Sequence, residues 1–192
     1  MDERLVMTLT LYELSVPTFL QTTRALSNIL DRATKHCALT DANPDDFVQA
    51  RLHDDMAPFS FQIEAAWHHS VWGIEALKTG AFTPPPLVWP NTFAELQIMI
   101  GKAVTILEAF TPKEVNNWSD KDMVIDVYQP VDKENSSTSV WGPQKLTFTP
   151  ETYLLTYSLP NFYFHVVTAY DILRMRGVPI GKGDYQGQLR VK

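Results

Sequence analysis

The chain has 192 residues, 45% hydrophobic and 20% charged, which is enough apolar material to bury the core of one ordinary domain. A net charge of −6 without clustered Lys and Arg excludes a nucleic-acid surface and a basic membrane-binding face. Cys37 is the sole cysteine, so a disulfide framework and a thiolate metal cluster are excluded as well.

The start, Met1-Asp2-Glu3-Arg4, lacks the cationic and then apolar character of a signal peptide. No run of about 18 uncharged apolar residues suits a spanning helix. A cytoplasmic protein is the expectation, and the sequon at Asn135 carries no meaning without secretion.

Helix one is expected from Leu9 to Ala33, because Leu11, Leu14, Thr18, Thr22, Leu26, Ile29 and Ala33 form one helical stripe. Pro17 should kink it or mark a false start. Asn43-Pro44 is a turn signal in the polar stretch that follows. Helix two is expected from Met56 to Leu77, with Asp55 as cap and Met56, Phe59, Ile63, Trp67, Ser70, Ile74 and Leu77 as its stripe. Gly80 and Pro84-Pro85-Pro86 end it and open a stiff connection to Pro90.

Helix three opens on the capping box Thr92-x-x-Glu95 and carries Phe93, Leu96, Ile100, Ala103, Val104, Leu107 and Phe110 inward. Thr111-Pro112-Lys113-Glu114 predicts a short extra helical turn. Met123–Tyr128 and Lys145–Thr149, rich in β-branched and aromatic residues, predict a small β-hairpin with residues 135–139 as its loop. Helix four is expected from the cap Thr149, with Pro150 in its first position, to Arg176, with Gly177 as its stop. It should be the most buried member, since residues 162–167 are apolar almost all round.

One histidine interrupts that apolar run. His165, set among Phe164, Val166 and Val167, must be hydrogen-bonded, bind a metal or do chemistry, because an unpaired buried polar group costs about 1–3 kcal/mol. Three uses are open for it: a core residue satisfied by a carbonyl or by Asn161 one turn away, an acid/base or orienting group, or a metal ligand. His69 lies beside Gln62, Ala66 and Gly73 on the flank of the helix-two stripe, whereas His68 should point further out. His53-Asp54-Asp55 falls where a helix cap is needed, and Asp171 with Arg174 suits a solvated ion pair. Gly177-x-x-x-Gly181-Lys182-Gly183 is one residue short of a phosphate loop and lacks its Ser or Thr, so it is rejected. Cys37 has no evident base partner.

The segment LPNFYFHVVTAYDILRMRGVPIGKGDYQG, together with LYELSVPTF near the start, resembles an uncharacterised family of the DinB/YfiT-like metalloenzyme superfamily. The resemblance implies an all-α, up-down-down-up four-helix bundle, often dimeric, with a pocket between the helices. A small β-hairpin is then inserted between helices three and four, in a single domain spanning 1–192. It also implies a divalent metal held by three histidines, one on helix two and two at i, i+4 on helix four. His165, twelve residues before Gly177, matches the later of these, but the position one turn earlier is Asn161. The constellation is at best His69, Asn161 and His165, and an amide is a poor zinc or nickel ligand.

The expectation is therefore a protein that binds a hydrophobic small molecule in an aromatic pocket, without cofactor, as a homodimer. Its chemistry would be isomerisation, cyclisation or proton transfer, possible in secondary metabolism, where positioning alone lowers a barrier by up to ~7–11 kcal/mol. His165 would be the acid/base, with Asn161 orienting and Tyr163 supplying a catalytic hydroxyl. Tyr12, Trp67, His69, Phe162 and Tyr170 would contact substrate. Two other classes stay open: a zinc- or nickel-dependent transferase or hydrolase using His69 and His165, and a non-catalytic binding or dimerisation module.

Overall fold

A computed structural model describes residues 9–130 and 141–191. The expected hairpin loop and the sequon lie outside the described residues. In chain order the elements are α1 (Leu11–Leu14), α2 (Val16–Thr40), a 3-10 turn (Pro44–Phe47), α3 (Phe59–Trp67), a π-helical segment (His68–Trp72) and α4 (Gly73–Thr79). Then come α5 (Phe93–Ala109), α6 (Pro112–Asn116), β1 (Met123–Pro130), β2 (Trp141–Phe148) and α7 (Pro150–Tyr153). A second π-helical segment (Leu154–Ser158), α8 (Leu159–Met175) and α9 (Lys182–Gln186) complete the chain. Packing is helical: α2 lies against α5 and α8, and α3 against α8 and α5, with one two-stranded antiparallel sheet beside them. No described helix is long and apolar enough to cross a membrane.

The first expected helix is two. Ser15, at φ −104 and ψ −82, breaks it, and Pro17 then sits in the first turn of α2, where its missing N–H costs nothing. The helix runs on past Ala33 to Thr40 because Cys37 continues the buried stripe. Helix two starts at Phe59 rather than Met56. The N–H groups of Phe59 and Ser60 donate to the carbonyls of Ala50 (2.8 Å) and Val48 (3.0 Å), so the preceding loop's backbone does the capping expected of Asp55. Asp55 instead accepts from the exposed His53 Nδ1 at 2.6 Å.

The boxes at Thr92 and Thr149 and the cap at Thr111 form as the residues dictate. In the hairpin Met123, Ile125 and Val127 alternate inward while Val124 and Tyr128 face out. Helix four ends in a Schellman motif. Gly177 adopts φ +88, and the N–H of Val178 reaches the Leu173 carbonyl at 3.0 Å. The side chain of Arg174 joins this stop by donating to the Val178 carbonyl (2.9 Å), not to Asp171. Nor is helix four buried all round. Phe164 is 58% exposed and Val167 39%, because only the face carrying Phe162, Val166 and Ala169 meets the other helices.

Pro160 does not simply kink the chain. It cannot donate to Thr156, and the turn just before it adopts π register, with the Leu159 N–H reaching back to the Leu154 carbonyl.

The connection between α4 and α5 is tied down by one side chain. Glu64, fully buried on α3, accepts from the N–H groups of Val88 (2.6 Å) and Trp89 (3.1 Å). Trp89 is held there at φ +51, a left-handed conformation strained for a bulky residue. Glu64→Ala should cost about 2–4 kcal/mol by stranding two donors, less whatever strain at Trp89 the freed loop releases. The measurements are chemical denaturation and limited proteolysis, with new cleavage expected between Ala81 and Pro90. Wild-type stability would show that the carboxylate does not hold the loop.

Candidate functional site

Two histidines meet where α3 continues into its π segment opposite α8. The rings of His69 and His165 lie near-parallel, with centroids 5.7 Å apart and 17° between planes. Phe82, from the tied-down connection, stacks on the other side of His69 at 5.1 Å. Tyr157 meets His69 edge-on at 5.8 Å, and Phe61 meets His165 edge-on at 5.7 Å. His165, Phe61, Tyr157 and Phe82 are each half-buried, so one side of the cluster reaches solvent.

Gln62 sets the proton on His165. Its amide N–H donates to the Ala57 carbonyl at 3.1 Å, which turns Oε1 toward His165 Nδ1 at 2.8 Å. The imidazole must then carry its hydrogen on Nδ1 and keep its lone pair on Nε2. Burial pushes His165 down to about 4. Burial, then the neighbouring His165 and His68, push His69 down to about 3. Both rings are neutral near pH 7, so the pair can accept a hydrogen bond or a proton but holds no acidic proton to give. Nδ1 of His69 is buried without a partner.

His68 does not point outward. It is 7% exposed and packs on Trp67 at 5.1 Å. Burial lowers its basicity too, against the opposing charge of Glu64.

The other expected residues are dispersed. Asn161 donates one amide N–H from Nδ2 to the Tyr157 carbonyl of its own helix (2.7 Å). Phe162 is fully buried and meets Phe19 edge-on at 5.1 Å, which makes it core rather than wall. Tyr163, two residues from His165, lies about 200° round the helix from it. It shares a groove with Tyr185 and Arg190, and Tyr170 also packs on Tyr185. Tyr12 lines a separate groove with Leu20, Arg24 and the C-terminal tail. Trp67 lines a cavity of about 400 Å³ with Trp89, Ile98 and Met99. Neither His69 nor His165 lines that cavity, but Phe61 touches both Trp89 (5.9 Å) and His165.

Gln62 was missed as a site residue, although it stands seven residues before His69, two turns away on the same face. Phe61 and Phe82 were missed because they come from a different face and from a loop.

A three-histidine metal centre does not fit these residues. Two imidazoles converge, the third position is an amide, which is a poor ligand for zinc or nickel, and catalytic zinc takes three protein ligands. Among the described residues no three His, Cys, Asp or Glu side chains gather where they could hold a metal ion.

No curated protein matches the sequence. The fold is similar to the crystal structure of a DinB family member protein from Shewanella denitrificans, with a TM-score of 0.72 and 27% identity over 95% of this chain and 94% of that one. Residues 11–186 match the family described as a domain of unknown function, DUF1993. The chain thus belongs to the DUF1993 family, within the DinB-like superfamily.

Proposed function

We propose that the protein binds a neutral hydrophobic small molecule at the His69–His165 pair and acts on it without a metal. One observation carries this reading. Two stacked, uncharged imidazoles stand in an aromatic setting, and His165 is fixed by Gln62 with its Nε2 lone pair free. His165 would accept a proton or a hydrogen bond from the ligand, Gln62 would do the orienting first expected of Asn161, and the aromatic rings would supply shape. The cavity beside Trp67 and Trp89 is of a size that suits a small ligand's apolar body. Isomerisation or cyclisation, as in secondary metabolism, needs no more than these groups. An up-down-down-up helix order and a homodimer belong to the same reading.

A second reading is favoured by one observation. Metal-bound histidines usually donate their other ring N–H to an acceptor, as His165 does to Gln62, and Nδ1 of His69 lacks a partner. Metal content of the tag-free protein, with His165→Ala as control, separates the two. Less than a tenth of an equivalent of zinc, nickel or iron is expected. Near one equivalent, lost in the control, would replace the leading reading by the metal-dependent transferase or hydrolase.

The ligand claim is tested with 2-naphthol, a neutral aromatic carrying an acidic hydroxyl. Its fluorescence should report binding to the wild type and roughly 3- to 10-fold weaker binding to His165→Ala, as loss of one hydrogen bond requires. Equal affinity in both proteins would take His165 out of the site.

Stability should fall with acid in a defined window. Both imidazoles have folded values below the ordinary 6.5, about 3 and about 4, so between these limits the unfolded chain binds more protons. Stability is then full above pH 6.5 and drains as pH falls toward 4. The contribution of His165 is on the order of 2–3 kcal/mol. Thermal melts from pH 7 to 4 should show a steep loss for the wild type and a shallower one for His165→Gln. Parallel profiles would mean that His165 is not buried neutral.

A further inference from the structure

The two π-helical segments face each other across the helix crossing, and one hydroxyl joins them. Ser158 closes the second segment, is fully buried, and donates to the backbone carbonyl of His69 at 2.9 Å. Opposite it stands Gly73, the first residue after the first segment. A Cβ on Gly73 would lie 2.5 Å from Ser158 Oγ and 3.7 Å from the Phe19 ring. The glycine is there for approach, since its backbone is ordinary right-handed helix at φ −61 and ψ −41.

A π turn holds one more residue than the α turn it replaces, and each residue in a helix is worth about 100° of rotation. If the first segment reverted to α register, His69 would swing by about that angle relative to the residues on one side of it. The rotation would carry it away from His165. π segments sit at functional sites often enough to warrant asking what holds each one. Here the partner is visible on both sides.

We propose that Ser158, admitted by Gly73, is a positioning residue that locks the π segment of His68–Trp72 and so aims His69 at His165. The inference rests on the imidazole pair being the functional site. The lock has two components, a hydrogen bond that Ser158→Ala removes and a close approach that Gly73→Ala blocks.

The test uses the full chain labelled at histidine, with ring-to-ring nuclear Overhauser contacts and ring-proton shifts as the readout and thermal melting beside it. In the wild type the His69 and His165 rings should show a direct contact, and His69 protons should be shifted by the rings stacked on it. Ser158→Ala should lose that contact while the methyl spectrum of the core stays native. Thr168→Val removes a different buried hydroxyl, on α8, which serves only its own helix through Phe164, and it should keep the contact. Gly73→Ala should melt well below the wild type, and Gly73→Ala with Ser158→Ala should regain part of that loss because the clashing oxygen is gone. The ring contact should stay absent in the double variant, which also covers the case in which Ser158→Ala alone fails to fold. A Ser158→Ala or double variant with the wild-type ring contact overturns the lock. Failure of the functional reading shows separately, as unchanged 2-naphthol binding in His165→Ala with the ring contact of the wild type intact.

Discussion

Everything at the site depends on how closely the second and fourth long helices approach one another. Gly73 removes the side chain that would stand in the way, and Ser158 occupies the space with a hydroxyl aimed at the His69 carbonyl. The hydrogen bond is worth only about 1 kcal/mol net, but the unpaired groups left by its loss would cost more. Phe19 fills the space on one side of the crossing and meets Phe162 edge-on, so the same approach also seats the central core. Each π segment has its own cause. The second absorbs Pro160, whose missing N–H would otherwise leave a gap in the helix ladder. The first has no proline, and its support comes from across the interface.

That support matters because the first segment is expensive to keep. Among the described residues, Nε1 of Trp67, Nε2 of His68, Nδ1 of His69 and Nε1 of Trp72 are all buried without a partner. Each such group costs about 1–3 kcal/mol against a total stability of about 5–15. Four of them within one stretch of helix is a poor way to build a core. The same stretch carries one of the stacked imidazoles and is contacted by Phe82 from the loop that Glu64 ties down. Costs of this kind persist where the surrounding structure over-determines them, and they concentrate at functional sites.

The bundle was legible in the sequence because its signals are local. Capping boxes, the Gly177 stop and the alternation of Met123, Ile125 and Val127 each act within a few residues. His165 stood out for the same reason, as one imidazole in an apolar run. What escaped was set by partners remote in sequence. Helix two starts late because Ala50 and Val48 cap it from a loop, and the change to π register after His68 leaves no periodic mark in the sequence. Gln62 reaches His165 across 103 positions, and no periodicity on its own helix reports that. Tyr12, Tyr163 and Tyr170 look like pocket residues only if every aromatic on an apolar helix faces one pocket, whereas a bundle helix has several faces to fill.

The charge balance narrows the chemistry that this cluster can host. Glu64, the buried carboxylate nearest in sequence, faces the α4–α5 connection and accepts the N–H groups of Val88 and Trp89 there. No ion pair among the described residues includes a member of the cluster. A charged ligand would give up part of its hydration there and find no ion-pair partner within the cluster, which costs free energy. A neutral ligand loses far less, and its apolar surface gains roughly 25 cal/mol per Å² on leaving water. Two uncharged imidazoles add polarity to such a site without adding charge. On the function proposed above, His69 and His165 would take a ligand that is apolar over most of its surface and carries one weakly acidic or hydrogen-bonding group, placed to meet Nε2 of His165.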